Sequence, residues 1–428
     1  MSESCDVVVI GAGAAGLLAA RELHRAGVRV VLLEARDRPG GRVLTHRGAG
    51  ADLPVELGAE FLHGDAPLTR ALLDEYGLRH IEGSGEAWRA SGGRIVRDAT
   101  HFRRIGRLLA RIDTERPDQS FADFLAGRRG GPGVAAAHRD ATRFIEGFHA
   151  ADAERVSTHS VSSSVAETRT VARGARVLAG YDALTSLLAA ELGNTLRPEC
   201  EVRTLDWREG HCDVTWQRRG RPHRLRARAA IVTVPVGVLA ASDGLRVDPE
   251  PAVLARVRRQ LVMGDVVRIG FVVRERFWES LREDGERLSF LHTPDSSFNV
   301  WWTQYPVAAP LLVAWAGGPA ARRVGRLAPP ARVALALHDL ARAIGRTPRV
   351  LERSVTDWHA VDWSSDRFSR GAYSYALVGG AGAGRALARP IAGTLCFAGE
   401  ATAEASGTVE GALASGRRAA RAVLRAMR

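Results

Sequence analysis

Hydrophobic and polar positions define two kinds of segment over the first forty residues. Val7 to Ile10 is apolar throughout and Val28 to Leu33 nearly so, which predicts two strands buried on both faces. Between them, the apolar residues that follow Leu17 continue as a helix that stops at Gly27. The chain therefore begins with a strand–helix–strand unit.

The rest of the chain divides into helical and extended regions. Apolar spacing predicts helices at 66–76, 181–192 and 329–344. From about Trp88 the helical pattern dominates, with predicted helices at 100–113, 119–127 and 134–150. Period-two alternation interrupted by turn residues predicts a meander at 201–207, 211–218 and 222–228. Apolar runs predict further strands at 230–235, 311–318 and 393–398. Residues 155–175 predict only a loop or a mobile lid.

The turn after the first strand has glycines at Gly11, Gly13 and Gly16. Gly11 permits a tight turn, Gly13 lets the backbone approach a pyrophosphate, and Gly16 lets helix and strand pack closely. The N–H groups and the dipole at the start of the helix attract phosphate charge. This spacing is typical of a dinucleotide-binding site.

Glu34 ends the second strand, where a carboxylate accepts hydrogen bonds from ribose hydroxyls. It completes the strand–turn–helix–strand–acid order of the dinucleotide fingerprint, which a chance glycine turn in another βαβ unit would lack. The fingerprint alone does not choose between NAD and FAD.

The net charge is strongly positive but is not concentrated. It is +12, and all 60 basic residues are arginine because the chain contains no lysine. Such a balance can indicate nucleic acid, a membrane surface or an acidic partner. The arginines are dispersed, and the densest run, Arg218 to Arg228, falls in a predicted hairpin without interleaved aromatic residues. We therefore expect no nucleic-acid partner.

The four cysteines form no CxxC pair, which predicts a reduced, cytoplasmic set without a metal site. No apolar run is long enough to span a bilayer, so we expect no membrane segment. The dinucleotide unit begins by Asp6, and a signal peptide is not expected. The length of 428 residues is enough for two domains.

Several segments resemble the flavin-containing amine oxidases of the monoamine and polyamine oxidase type, in their bacterial form. They are Glu34 to Arg42, Val55 to Gly64, Phe368 to Tyr375, Gly399 to Thr402 and Ser406 to Ala412. In that family these segments surround FAD. The resemblance implies an FAD site formed by Gly11, Gly13, Ala14, Ala15, Gly16, Glu34, Arg36, Gly41, Arg42, Gly58, Ala59, Glu60, Phe61, Val202, Phe368, Gly399, Glu400, Thr408 and Val409. The alternative for Arg42 is a solvated surface arginine.

The same resemblance implies part of a substrate site. Tyr373 stands where the family has one wall of an aromatic cage, whereas Thr408 replaces the second tyrosine of monoamine oxidases. His63 matches a pocket histidine of animal polyamine oxidases, and the alternative is a structural histidine capped by backbone. Ala372 takes the place of the cysteine that binds flavin covalently in mammalian monoamine oxidases. We therefore expect noncovalent FAD.

Arg268 departs from the family pattern. The segment Met263 to Trp278 resembles a strand in which a lysine normally holds a water against flavin N5. Arginine keeps the positive charge, but it is planar, longer and unable to deprotonate. The resemblance thus implies Arg268, Tyr373 and His63 as the catalytic residues and no metal.

The predicted fold is α/β, with a Rossmann-like FAD-binding domain and a substrate domain of mixed sheet and helices. The predicted FAD domain is discontinuous, at 1–87, 193–262 and 388–428, and the substrate domain takes 88–192 and 263–387. The chain crosses between them several times, and we expect a monomer or homodimer.

The predicted reaction is oxidation of a small amine. Hydride passes from the carbon next to nitrogen to flavin N5, the imine is hydrolysed, and O2 reoxidises the flavin to give H2O2. The alternatives are an L-amino-acid oxidase, another flavin oxidoreductase such as a desaturase, and a non-catalytic flavoprotein.

Overall fold

The predicted strand–helix–strand unit is confirmed. The computed structural model describes residues 3–48, 54–83, 85–128, 130–163, 165, 174–404 and 406–428, and the elements below are those of these residues. Val7–Ile10 and Val30–Leu33 pair in parallel, and the helix Ala14–Arg25 connects them. They belong to a five-stranded parallel sheet with the order Leu196–Arg197, Val30–Leu33, Val7–Ile10, Ala229–Val232 and Leu395–Phe397.

Both faces of this parallel sheet are covered, which explains its continuous apolar strands. On one face the helices Ala14–Arg25, Asp182–Leu192 and Val409–Ala426 contribute to a common core with Val7 and Val9. On the other face Val8 and Ile10 pack with a second sheet. That sheet contains the predicted meander and has the order Glu3–Ser4, Arg221–Ala227, His211–Arg218, Glu201–Arg208 and Arg246–Asp248.

A seven-stranded mixed sheet forms the centre of the other half of the molecule. Its order is Val355–Asp362, Val266–Val273, Leu311–Gly317, Val300–Thr303, Leu288–His292, Glu86–Ser91 and Arg94–Arg97. In the strand Val266–Val273, Val267, Ile269 and Phe271 join a core with the helix Pro329–Ile344. Because side chains alternate along a strand, Arg268 faces the opposite side.

The prediction of a helical pattern from Trp88 is wrong at its start. Trp88 lies fully buried in the strand Glu86–Ser91, which forms a hairpin with Arg94–Arg97. Gly92 and Gly93 make the two-residue turn, both at positive φ. This is a hairpin signal that the helical interpretation overlooked.

The remaining elements are shorter sheets and connecting helices. Small sheets pair Phe61–Leu62, Ala175–Val177 and His80–Glu82, then Leu261–Met263 with Ser374–Ala376, and Thr45–His46 with Val55–Glu56. The other helices are Pro67–Glu75, His101–Leu109, Phe121–Ala126, Pro132–Phe148, Thr158–Val161, Val236–Ala240, Ala252–Gln260, Gly318–Val324, Pro348–Ser354 and Ala383–Leu387. Short 3₁₀ turns lie at Gly193–Thr195, Phe277–Leu281, Gly285–Arg287 and Glu400–Thr402.

The packing modifies one predicted domain boundary. Ala175, Tyr181 and Leu188 belong to the core of the parallel sheet. We therefore propose that residues 175–192 join the FAD-binding segments. Of the predicted loop or lid at 155–175, residues 164 and 166–173 lie outside the described residues, and Thr158–Val161 is a helix.

Candidate active site

One cavity of about 400 Å³ connects the predicted cofactor residues with the predicted substrate residues. All three predicted catalytic residues line it: Arg268, Tyr373 and His63. Every predicted cofactor residue lines it except Gly16. A Cβ at Gly16 would lie 1.8 Å from the carbonyl oxygen of Gly11, so Gly16 serves the close packing of helix against turn.

The glycine-rich turn presents open backbone at one end of the cavity. A Cβ at Gly13 would meet no atom within 4 Å, so the space above this residue is empty. Gly13 is the N-cap of the helix Ala14–Arg25, and Ala14 and Ala15 begin its first turn. The N–H groups of that turn therefore face the cavity, where they and the helix dipole favour an anionic group.

Glu34 lies at the end of its strand with a buried carboxylate, 4% exposed. Oε2 accepts from the N–H of Ala12 at 2.6 Å, and Oε1 accepts from the N–H of Arg36 at 2.9 Å. Burial raises the pKa of Glu34, and the two N–H groups oppose that rise. A carboxylate has about four lone-pair positions, so the two N–H bonds leave capacity for two more donors.

Arg42 connects two separate segments of the cavity lining, those that contain Ala372 and Glu400. It donates to the carbonyl oxygen of Ala372 at 2.6 Å and to Oε1 of Glu400 at 3.0 Å. Glu400 also accepts from the Ser374 hydroxyl at 2.9 Å and from the N–H of Gly407 at 3.1 Å. The predicted alternative of a solvated surface role for Arg42 does not fit this largely buried pairing.

The helix Val409–Ala426 points its N-terminus into the cavity. Thr408 is its N-cap and accepts from the N–H of Gly411 at 2.9 Å, and Thr408 and Val409 both line the cavity. Val202 and Phe368 also lie in the lining, with the Arg36 guanidinium 5.3 Å from the Phe368 ring. Arg36 itself donates to Asp366 at 2.6 Å.

Glu60 is the centre of a buried ionic cluster. Arg268 pairs with Oε2 of Glu60 and donates to the carbonyl oxygen of Gly58 at 3.0 Å. Arg176 donates to Oε1 of Glu60 at 2.7 Å, and the Trp302 indole donates to Oε2 at 2.9 Å. Burial would raise the pKa of Glu60, but the charges of Arg268 and Arg176 outweigh it and lower the pKa to about 2. With two arginines and one carboxylate, the cluster carries a net charge of about +1.

Aromatic side chains line the cavity beyond this cluster. The His63 ring lies 5.7 Å from both Phe61 and Phe148, measured between ring centroids. Tyr373 donates its hydroxyl to the carbonyl oxygen of Phe148 at 2.5 Å. A Cβ at Gly407 would lie 3.4 Å from the Tyr373 ring, an ordinary van der Waals distance, so Gly407 lies directly beside the ring. Tyr373 therefore stands as a fixed aromatic wall.

A sequence model of the flavin-containing amine oxidoreductase family matches residues 14–424. The chain belongs to this family. It is 27% identical to a putrescine oxidase of Kocuria rosea, with 98% of this chain and 95% of that protein covered. It is 29% identical to a lysine-specific histone demethylase 1 homolog of Arabidopsis thaliana, of which it spans only about half, 53%, with 100% of this chain covered. A solved structure of putrescine oxidase bound to putrescine superposes with a TM-score of 0.83 at 25% identity and covers 99% of this chain and 100% of that one.

This flavin-containing amine oxidoreductase depends on FAD. The residues present fit that cofactor. The open backbone at Gly13 and the adjoining helix N-terminus suit a pyrophosphate, and the spare lone pairs of Glu34 suit a ribose. A Cβ at Gly41 would lie 3.3 Å from the Cα of Gly13, so a side chain here would crowd the turn.

The sequence did not reveal the partners of Glu60. Arg176, Trp302 and Gln304 come from distant segments and carry no motif, whereas Glu60 was predicted only as a cofactor residue. The helix Pro132–Phe148 also lines the amine oxidoreductase's cavity. Its spacing of Asp140, Phe144 and Phe148 at every fourth residue was a usable signal.

Neither a membrane-spanning helix nor a metal site is found in the described part of the chain. No helix there is long and apolar enough to cross a membrane. No group of three or more histidine, cysteine, aspartate or glutamate side chains there has the arrangement to hold a metal ion. All four cysteines are buried and free, and burial raises the pKa of the Cys5 thiol to about 12.

Proposed function

We propose that the protein is an oxidase of small amines that removes hydride from the carbon next to the nitrogen. The observation that carries this proposal is the continuity of the cavity, which runs without interruption from the turn at Gly13 to the aromatic walls at Tyr373 and Phe148. When bound, FAD would supply the hydride acceptor and the site from which O2 takes the electrons to give H2O2. The imine product is released and hydrolysed by water.

The aromatic walls favour the reactive form of the amine. Hydride loss requires a free nitrogen lone pair, so the amine must be neutral when it reacts. Phe61, Phe148 and Tyr373 surround it with apolar surface, and desolvation lowers the pKa of an amine. His63 lies among these rings, where an imidazole can accept the proton that the ammonium loses.

The cluster around Glu60 supplies positive charge at the wall formed by Gly58 and Ala59. The family resemblance assigns this wall to the flavin ring. Arg268 is anchored there by the carbonyl of Gly58 and by Glu60, so its charge is held without solvent reorganisation. Fixed charge of this kind stabilises negative charge that develops during a reaction. Arg268 is therefore proposed as a catalytic residue despite its departure from the family lysine.

The cofactor is proposed to be noncovalent. Ala372, at the linkage position, has no nucleophilic atom to bond with flavin. Acid precipitation of the holoenzyme should release all of the yellow flavin into the supernatant. Flavin that stays with the precipitated protein would contradict this assignment.

Peroxide production with a panel of amines, polyamines and L-amino acids tests the activity. We expect H2O2 with amines and, under anaerobic conditions, bleaching of the flavin absorbance. The rate constant of flavin reduction should rise with pH as the substrate amine or His63 loses its proton. Turnover restricted to L-amino acids would favour the amino-acid oxidase alternative, and a flavin that no panel member bleaches would favour a non-catalytic flavoprotein.

A further inference from the structure

The outer part of the cavity is formed by one face of the helix Pro132–Phe148. Five cavity-lining residues of this helix repeat at helical spacing, namely Asp140, Arg143, Phe144, Gly147 and Phe148. Phe144 and Phe148 stack on each other with their ring centroids 5.1 Å apart. Phe102, on the neighbouring helix His101–Leu109, packs edge-on against Phe144 at 6.3 Å.

The direction of this helix orders the cavity from inside to outside. Its C-terminal end adjoins the proposed reaction centre, because Tyr373 donates to the carbonyl oxygen of Phe148 at 2.5 Å and the Trp315 indole donates to that of Gly147 at 2.8 Å. Towards its N-terminus the helix leads away to Arg143. There the Arg143 side chain is 29% exposed and its neighbour Asp295 is 62% exposed, so this end of the cavity lies near solvent.

Most of the charges at this outer end already neutralise one another. Asp140 accepts from Arg89 at 2.9 and 3.1 Å and from Arg104 at 3.5 Å. Arg104 also donates to Asp98, at 2.8 and 2.6 Å. The two histidines here, His101 and His292, add no charge near neutral pH, since burial lowers the pKa of each. The cavity therefore offers no uncommitted carboxylate at this end among the described residues.

Arg143 is the exception. Within the described part of the chain its guanidinium has no hydrogen-bond partner, and its only ion pair is with Asp295 at 3.8 Å. Asp295 does not line the cavity, and its exposed carboxylate already accepts from the Ser91 hydroxyl at 2.6 Å. Arg143 thus keeps unused donors that face the cavity, in a fork geometry that suits a carboxylate.

We propose that the substrate is an amine that carries a carboxylate or another anionic group at its far end, bound by Arg143. The proposal rests on the proposed function, since it places the amine at Tyr373. Phe148 lies five positions after Arg143 along the α-helix, a rise of about 7.5 Å, which a short chain of methylene groups spans. A diamine would instead bring a second ammonium beside an arginine and find no unpaired carboxylate among the described residues there.

Three amines of equal carbon number separate these alternatives: ε-aminocaproate, hexylamine and hexamethylenediamine. The wild-type holoenzyme should oxidise ε-aminocaproate with at least tenfold higher kcat/KM than the diamine, with hexylamine between them. A diamine that reacts better than ε-aminocaproate would overturn the inference while leaving amine oxidation intact.

Variants at Arg143 test the residue itself. Arg143→Met should lower kcat/KM for ε-aminocaproate at least tenfold more than it lowers kcat/KM for hexylamine, mainly through KM. Arg143→Lys keeps the charge without the planar fork and should restore part of the selectivity. Arg139→Met is the matched control, because Arg139 lies on the same helix but is exposed and outside the cavity lining. Equal loss for all three amines in Arg143→Met would contradict a role in binding the anion.

Binding of caproate, which has no amine to oxidise, gives a readout independent of turnover. The perturbation of the flavin spectrum by caproate should require at least tenfold more ligand in Arg143→Met than in wild type or Arg139→Met. Equal caproate affinity in wild type and Arg143→Met would overturn the inference. If none of the three amines yields H2O2 while caproate still depends on Arg143, the proposed function fails and the anion site stands.

Discussion

Glu34 and Glu60 are buried carboxylates in the wall of the same cavity, but their partners differ in kind. Glu34 accepts hydrogen bonds from two backbone N–H groups, those of Ala12 and Arg36, and the Arg36 guanidinium lies 3.9 Å from its Oε1, beyond hydrogen-bond distance. Glu60 is held by side chains, among them two arginines and the Trp302 indole. Burial raises the pKa of Glu34, whereas Arg268 and Arg176 overcome burial and lower the pKa of Glu60 to about 2.

The difference indicates that Glu34 serves ligand binding, whereas Glu60 serves the stability and the charge of the cavity wall. Backbone N–H groups carry no full charge, so they hold Glu34 in place and leave its charge available for a ligand. The two arginines more than neutralise Glu60, which balances only one of their two charges, and each arginine is less than a tenth exposed. Removing Glu60 therefore leaves two buried cations unpaired, whereas removing Glu34 mainly leaves a binding site incomplete.

The largest expected effect follows from Glu60. Glu60→Gln should destabilise the protein by about 3–5 kcal/mol, because it removes one member of a buried ion cluster and leaves the charges of Arg268 and Arg176 uncompensated. Urea unfolding of the variant and wild type measures this loss. Glu34→Gln is the matched control and should cost clearly less. Equal stability losses in the two variants would mean that the two carboxylates do not differ as described.

Glu34 should dominate cofactor affinity instead. Glu34→Ala removes the acceptors for a ribose in a desolvated site, a loss of roughly 1–3 kcal/mol, so FAD should dissociate about tenfold more readily. Fluorescence of released FAD on serial dilution measures the affinity. Arg29 and Asp6 form an exposed ion pair elsewhere on the same sheet, and Asp6→Asn serves as the control. Unchanged FAD occupancy of Glu34→Ala after dilution would refute the ribose assignment.

The contrast between Glu34 and Glu60 also explains which parts of the structure could be predicted from the sequence. Glu34 and its partner Ala12 are 22 residues apart within one βαβ unit, so local spacing determines their geometry. The packing helices Asp182–Leu192 and Pro329–Ile344 were likewise predicted from apolar spacing within one segment. In each case the determining contacts follow a periodicity that is visible in a single stretch of chain.

The cluster around Glu60 could not be predicted in this way. Arg176 lies 116 residues and Arg268 lies 208 residues further along the chain. In a chain with arginine at every basic position other than histidine, composition does not single out these two. Their meeting depends on how the strand Val266–Val273 packs over Gly58, which no local pattern encodes.

Substitution of Arg268 tests the effect of the positive charge on the reaction with O2 separately from its effect on protein stability. Arg268→Met leaves Glu60 paired with Arg176 and removes the excess positive charge from the cavity wall. We expect the rate of flavin reoxidation by O2 to fall about tenfold more than the rate of flavin reduction, because the charge that oxygen gains loses its stabilisation. Arg268→Lys should preserve the oxygen rate. Stopped-flow measurement of both half-reactions gives these rates.

A buried arginine outside the cavity provides the control for this experiment. Arg332 pairs with Asp362 at 3.2 Å and does not line the cavity. Arg332→Met should reduce stability without a selective loss of the oxygen reaction. An unaltered oxygen half-reaction in Arg268→Met would show that Arg268 does not act on it.

Glu56 is a third buried carboxylate, and it tests whether burial keeps the pKa of a carboxylate high when its hydrogen-bond donors are uncharged. The expected effect is the smallest of those predicted. Glu56 accepts from the N–H of Tyr181 at 2.6 Å and from the Thr45 hydroxyl at 2.7 Å, no arginine of the described residues pairs with it, and burial raises its pKa to about 7. Because the folded state holds the proton more tightly, this group stabilises the protein at low pH, and the contribution is lost as pH rises through about 7.

Wild type should therefore lose on the order of 1 kcal/mol more stability between pH 6 and pH 8 than Glu56→Gln, which cannot ionise. Urea unfolding at the two pH values measures the difference. If the unfolding free energies of the two proteins change equally with pH, the Glu56 carboxylate is charged over the whole range from pH 6 to pH 8, like that of Glu60.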